Sequence, residues 1–195
     1  MGSAPPARLL HCRDMRRFAV ASALAASLAA APRVLAVTLA GPADVASLTA
    51  TADAVVRAQV VRQTSSWAGG DPRSGLIFTV VELKLLEAWK GRAEASVRVQ
   101  VPGGAVGEIG QISQGAAAFE DGEEVVIFLR RRAAGLFEVE RWSLGKFKVR
   151  PDSSGEPRAL RSRDGVTCRG CRPGEPDELS VAELKSKVQA AAEAR

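Results

Sequence analysis

The chain has 195 residues, 46% of them hydrophobic, with 27 Lys and Arg against 22 Asp and Glu and a single histidine. This length suits one domain with an apolar core, which must rest on Val, Leu, Ile and six Phe because Tyr is absent. The formal charge of +5 invites a nucleic-acid reading, but its distribution along the chain excludes one.

Residues 1–36 read as an export signal. Arg13, Arg16 and Arg17 lead into an uncharged run from Phe18 to Ala31, and Val34-Leu35-Ala36 offers small residues where a signal peptidase reads. The predicted mature start is Val37. Met15, directly before Arg16-Arg17, is an alternative start, and that pair raises a twin-arginine route beside general secretion. The apolar run is shorter than the roughly 20 residues that span a bilayer, and no second one follows, so no stable membrane span is expected after cleavage. Cleavage removes Arg8, Arg13, Arg16, Arg17 and Arg33 against Asp14, leaving 22 basic and 21 acidic residues. A near-neutral chain has no general nucleic-acid footprint. It is expected to be periplasmic or extracellular.

Residues 37–52 read as a lead-in with a short helix, and residues 53–150 as strands. Ala54 to Val61 is β-rich, and Gln63 to Gly75, with Trp67, reads as a loop. Leu76 to Trp89 is a long strand with Ile77, Thr79, Val81, Leu83 and Leu85 on one face; Val97, Val99 and Val101 alternate in a third. Pro102 to Gly115 is a glycine-rich loop. Glu120, Asp121, Glu123 and Glu124 fall on a turn expected to be solvated. An apolar strand follows over Glu124 to Arg130, and Arg130-Arg131-Arg132 is expected to cap it at a second solvated turn. Leu136 to Trp142 and Leu144 to Val149 complete the set. About six short strands without intervening helices predict an antiparallel sandwich or barrel.

Residues 151–178 are rich in Pro, Gly, Ser and charge, and read as a flexible tail or linker. Residues 179–195 carry a helix. Ser180 is its N-cap with Glu183 three residues on, Leu179 and Leu184 form a hydrophobic staple, and Val181, Leu184 and Val188 make a narrow apolar stripe for docking.

The only histidine, His11, and Cys12 leave with the signal. The mature chain then has no Ser-His-Asp or Cys-His triad and no His-ligated zinc, so no catalytic residue, metal or cofactor is expected. Cys168-Arg169-Gly170-Cys171 is the one reactive pattern. It fits a local disulfide between Cys168 and Cys171 in an oxidising compartment, with a redox pair as the alternative. Gly103, Gly104, Gly107 and Gly110 with Gln111 mark either tight turns or a loop that contacts a ligand. Trp67, Trp89 and Trp142 can line a surface or fill the core, and Trp67 is the best exposed candidate.

The order of motifs resembles a known group. It comprises Asp53-Ala54-Val55-Val56, Trp67 with Gly69-Gly70, Leu85 to Gly91, Val97 to Gln111, Phe119, Gly122 to Leu129 and Gly145-Lys146-Phe147. Over Asp53 to Val149 the chain is similar to a family of uncharacterised exported bacterial proteins, and more loosely to the netrin-like domains of tissue inhibitors of metalloproteinases. The resemblance implies an OB-type barrel of five to six strands and brings no catalytic residues. Those inhibitors begin with a zinc-chelating Cys; here the predicted start is Val37 and residues 53–149 hold no Cys, so that mechanism does not transfer.

The expectation is therefore an exported, non-enzymatic β-barrel that binds an extracytoplasmic protein or other ligand, with Trp67, Gly103, Gly104, Gly107, Gly110 and Gln111 as its site. A thiol/disulfide accessory using Cys168 and Cys171, or a structural envelope component, are the alternatives.

Overall fold

A computed structural model describes residues 37–133, 135–169 and 177–194. The expected signal with His11 and Cys12 lies outside the described residues, as does Cys171. The described chain is mainly β, with twelve strands and two α-helices.

Strand β1 (Val37–Ala40) leads to helix α1 (Val45–Thr51), whose N-cap Asp44 accepts from the Ser47 amide at 2.8 Å. The strands β2 (Ala54–Trp67), β3 (Ile77–Lys90) and β4 (Ser96–Pro102) follow, then a hairpin of β5 (Gly104–Val106) and β6 (Ile109–Gln111). Next come β7 (Glu124–Ala133), β8 (Leu136–Val139), β9 (Lys146–Pro151), β10 (Pro157–Arg161), β11 (Val166–Arg169) and β12 (Glu178–Ser180), and helix α2 (Val181–Glu193) ends the fold. The main sheet has eight strands in the order β12-β10-β9-β7-β2-β3-β4-β8. Strand β8 pairs in parallel with β4 and antiparallel with β7. Strand β1 pairs in parallel with β11.

Two apolar layers use the two faces of the central strands. On one face Val56, Ala58, Val81, Leu83, Val97, Val99, Val125, Ile127 and Leu129 pack together. On the other, Val55, Trp89, Val126, Phe128 and Phe147 meet Leu48 of α1 and Val181, Leu184 and Val188 of α2. The continuous apolar run at 125–129 follows from this double burial, because every residue of that strand segment meets a core. Helix α2 starts at the expected cap, where the Ser180 hydroxyl accepts from the Glu183 amide at 3.0 Å. The carbonyls of Thr49 and Ala52 at the end of α1 both accept from the Lys90 ammonium, a cation placed against the negative end of the helix.

Several segments differ from the sequence reading. Strand β2 continues through Trp67, so the loop expected over 63–75 shrinks to 68–76; the polar run Gln63 to Ser66 pairs with β3 by backbone bonds that need no apolar side chains. Within 151–178, read as a flexible segment, β10 pairs with β9 and β11 with β1. A buried arginine holds this part in place of apolar bulk: Arg161 donates to the Ala43 carbonyl at 2.7 Å and pairs with Asp177. The turn at 120–124 is not wholly solvated. Glu123 is buried and pairs with Lys146, whose ammonium lies over the Phe119 ring. Burial pushes the Lys146 ammonium below its ordinary range, and the Glu123 carboxylate opposes that shift.

Candidate functional site

The residues between β8 and β9 carry the most unusual backbone in the described chain. Arg141 (φ 55°, ψ 38°) and Trp142 (φ 58°) are consecutive non-glycine residues in left-handed geometry, and they are the only non-glycine residues with positive φ among those described. Each costs of the order of 1–3 kcal/mol, and such strain gathers where function needs it. Neighbouring bonds impose it. The Glu140 amide donates to the Phe128 carbonyl at 2.9 Å, the Ser143 amide to the Gly115 carbonyl at 3.0 Å, and the Leu144 amide to the Arg141 carbonyl at 3.1 Å. Gly145 lets the turn close, since a Cβ there would stand 1.9 Å from the Glu140 carbonyl oxygen. The Ser143 hydroxyl inside this turn is buried without a hydrogen-bond partner among the described residues.

This strained turn edges a cleft of about 960 Å³. It is lined by Arg130 and Arg132 of β7, Glu138 of β8, and Glu140, Arg141 and Trp142, together with Leu39, Thr51, Phe78 and Pro102. Arginine 130 donates its Nε to Glu138 at 2.8 Å, and Arg132 reaches the same carboxylate at 3.3 Å. The hydrogen bond from Arg130 to Glu138 raises that guanidinium above its ordinary value. Glu140 is buried. It accepts from the Thr51 hydroxyl at 3.1 Å and faces Arg130 at 3.8 Å and Arg141 at 3.6 Å. Arg141 also donates to the Ala40 carbonyl at 2.6 Å, which joins the turn to β1. Trp142 remains 37% exposed. Guanidinium groups, a hydroxyl and an exposed indole around one concavity are groups that recognise and orient a ligand.

The sequence candidates fall in three places. Trp89 is core. Trp67 ends β2 and is partly buried instead of standing in a loop. Its backbone pairs with Ile77, the residue that anchors the glycine-rich hairpin: the Gly103 amide donates to the Ile77 carbonyl at 2.8 Å, and the Ile77 amide to the Gln111 side-chain oxygen at 2.6 Å. Gly103 and Gly104 are shaped by this docking. The Thr79 hydroxyl donates to the Gly103 carbonyl at 2.8 Å, and a Cβ on Gly104 would lie 2.3 Å from Thr79 Oγ1 and 2.4 Å from Ser65 Oγ. Trp67, Gly103, Gly104 and Gln111 thus converge on Ser65, Ile77 and Thr79. Gly107 starts the tight turn at the hairpin tip with φ 60°, and Gly110 stands in open space on β6.

The hairpin root meets the cleft at Pro102. The Cys168 sulfur sits on β11, 3.4 Å from the Gly41 carbonyl oxygen; its expected partner Cys171 is outside the described residues. Among the described residues no cluster of three or more His, Cys, Asp or Glu is arranged to hold a metal, and no helix is long and apolar enough to cross a membrane.

Sequence reasoning singled out Trp142 but missed Glu138, Glu140 and Arg141, and it placed Arg130 and Arg132 on a solvated turn. The available signal was the alternation of Glu138 and Glu140 beside the basic run 130–132, which is charge complementarity across a hairpin. No known family model matches the chain, and no curated protein matches it.

Proposed function

We propose that the chain is an exported, non-enzymatic binding module of OB-type, netrin-like barrel architecture that takes an extracytoplasmic protein or other ligand in the Arg141–Trp142 cleft. The barrel reading is supported by strand β8, which pairs with both β4 and β7, so that β2-β3-β4-β8-β7 runs back to β2. The parallel β4–β8 pair fits the Greek-key path of such barrels. Export rests on the signal pattern of residues 1–36. In that compartment Cys168 and Cys171 form a local disulfide. Alkylation with and without reductant tests the pair; thiols that react before reduction argue for redox chemistry instead.

One observation carries the choice of site. Two adjacent bulky residues are held in left-handed geometry at the edge of the cleft, with the indole of one left exposed. The test is a pull-down from the extracytoplasmic fraction with the chain starting at Val37, in wild-type, Trp142→Ala and Trp67→Ala forms. Loss of a specific partner with Trp142→Ala alone assigns it to the cleft. Loss with Trp67→Ala alone moves the site to the hairpin, and retention by both variants refutes each assignment.

A further inference from the structure

We infer that the cleft takes a carboxylate carried on an apolar or aromatic group; this deepens the binding reading above and rests on it. Among the described residues, the charged side chains lining the cleft are Arg130, Arg132, Arg141, Glu138 and Glu140, three cations against two anions. The single uncompensated positive charge matches a monoanion better than a phosphate dianion. Donors are also available. Among the described residues Arg132 makes one hydrogen bond, at 3.3 Å, which leaves most of its five N–H groups open. The Trp142 indole N–H has no acceptor among the described residues, and Trp142, 37% exposed, lines the same cleft.

A planar guanidinium fork meets a carboxylate through two N–H groups, and the indole with Pro102, Phe78 and Leu39 supplies apolar surface for the group that bears it. A volume of about 960 Å³ has room for more than a carboxylate and one side chain. A peptide C-terminus and a free aromatic acid share this chemistry.

Titration calorimetry on the chain starting at Val37 separates the sources, with N-acetyl-Leu-Phe, its C-terminal amide, phenylpropionate and phenyl phosphate as probes. Saturable binding of N-acetyl-Leu-Phe, about tenfold or more weaker for the amide and no tighter for phenyl phosphate, is the expected result. Comparable binding of phenylpropionate identifies a free acid, and its absence a peptide C-terminus. Arg132→Gln weakens the carboxylate probes about fivefold or more and leaves the amide unchanged, with circular dichroism checking that the variant is folded. Equal binding of acid and amide, an unaffected Arg132→Gln protein, or no heat from any probe up to about 10 mM overturns the inference. If the carboxylates fail while Trp142→Ala still loses its pulled-down partner, the ligand class falls and the cleft assignment stands. If Trp142→Ala keeps its partner, the cleft assignment falls whatever the carboxylates do.

Discussion

Replacing Trp142 by alanine and by glycine removes the same indole, so the two variants differ in what a φ of 58° demands of the residue that adopts it. An L-residue with a Cβ pays about 1–2 kcal/mol in left-handed geometry. Glycine avoids that cost but loses about 0.5–1 kcal/mol more conformational entropy on folding than alanine. The difference leaves Trp142→Gly more stable than Trp142→Ala by about 0–1.5 kcal/mol, centred at ~0.75, which at the centre is ~1.5–3 °C in Tm for a chain of this size. Urea unfolding followed by far-ultraviolet dichroism measures it directly. The same order is expected for Arg141→Gly against Arg141→Ala, where φ is 55° and ψ 38°. If alanine exceeds glycine at both positions, the turn is not left-handed and the strain argument for the site collapses. If the order holds, both Trp142 variants still lose the cleft partner, because relieving strain does not restore an indole.

Three further outcomes test the surroundings of the site. Gly145→Ala drives a Cβ against the Glu140 carbonyl oxygen and costs about 3 kcal/mol, whereas Gly110→Ala, in open space, changes the urea midpoint little. Lys146→Met leaves the buried Glu123 carboxylate with only Lys148, at 3.6 Å, and costs about 2 kcal/mol, and adding Glu123→Leu recovers most of it; full additivity of the two losses in a thermal-unfolding cycle refutes a coupled pair. Hydrogen bonds from Lys185 and Trp89 hold the Glu87 carboxyl below its ordinary 4.5. The stability it contributes is thus complete above pH 4.5 and is lost as pH falls through the lower folded value. Urea midpoints from about pH 6 to about pH 3 decline less steeply for Lys185→Met than for wild type.

Much of the sheet was legible because its side chains obey periods. Residues 77–83 and 97–101 alternate between core and outside, and the uninterrupted 125–129 run belongs to a strand covered on both faces. The helix at Ser180 announced itself through its cap and stripe. What escaped reading lacks such periods. The outer half of β2 is polar on both sides, and β10 and β11 are held by backbone pairing and by Arg161 more than by apolar content. The cleft escaped for a different reason. A left-handed Arg-Trp pair has no local signature, since glycine or asparagine is the usual occupant; only the bonds from Phe128, Gly115 and Ala40, distant in sequence, impose it.

The pairing of β1 with β11 sets an order of assembly. Val37 faces Val166 and Ala40 faces Arg169, so the first described strand must wait for a partner 129 residues further along the 195-residue chain. Closing so long a loop is entropically costly and comes late when other contacts do not shorten it. In a chain made N-terminus first, β1 stays open until residue 169 has been added. Leu39, which lines the cleft, and the Ala40 carbonyl that accepts from Arg141 take their places only with that pairing. A cleft bounded by so distant a pair is therefore complete only once β1 and β11 have met.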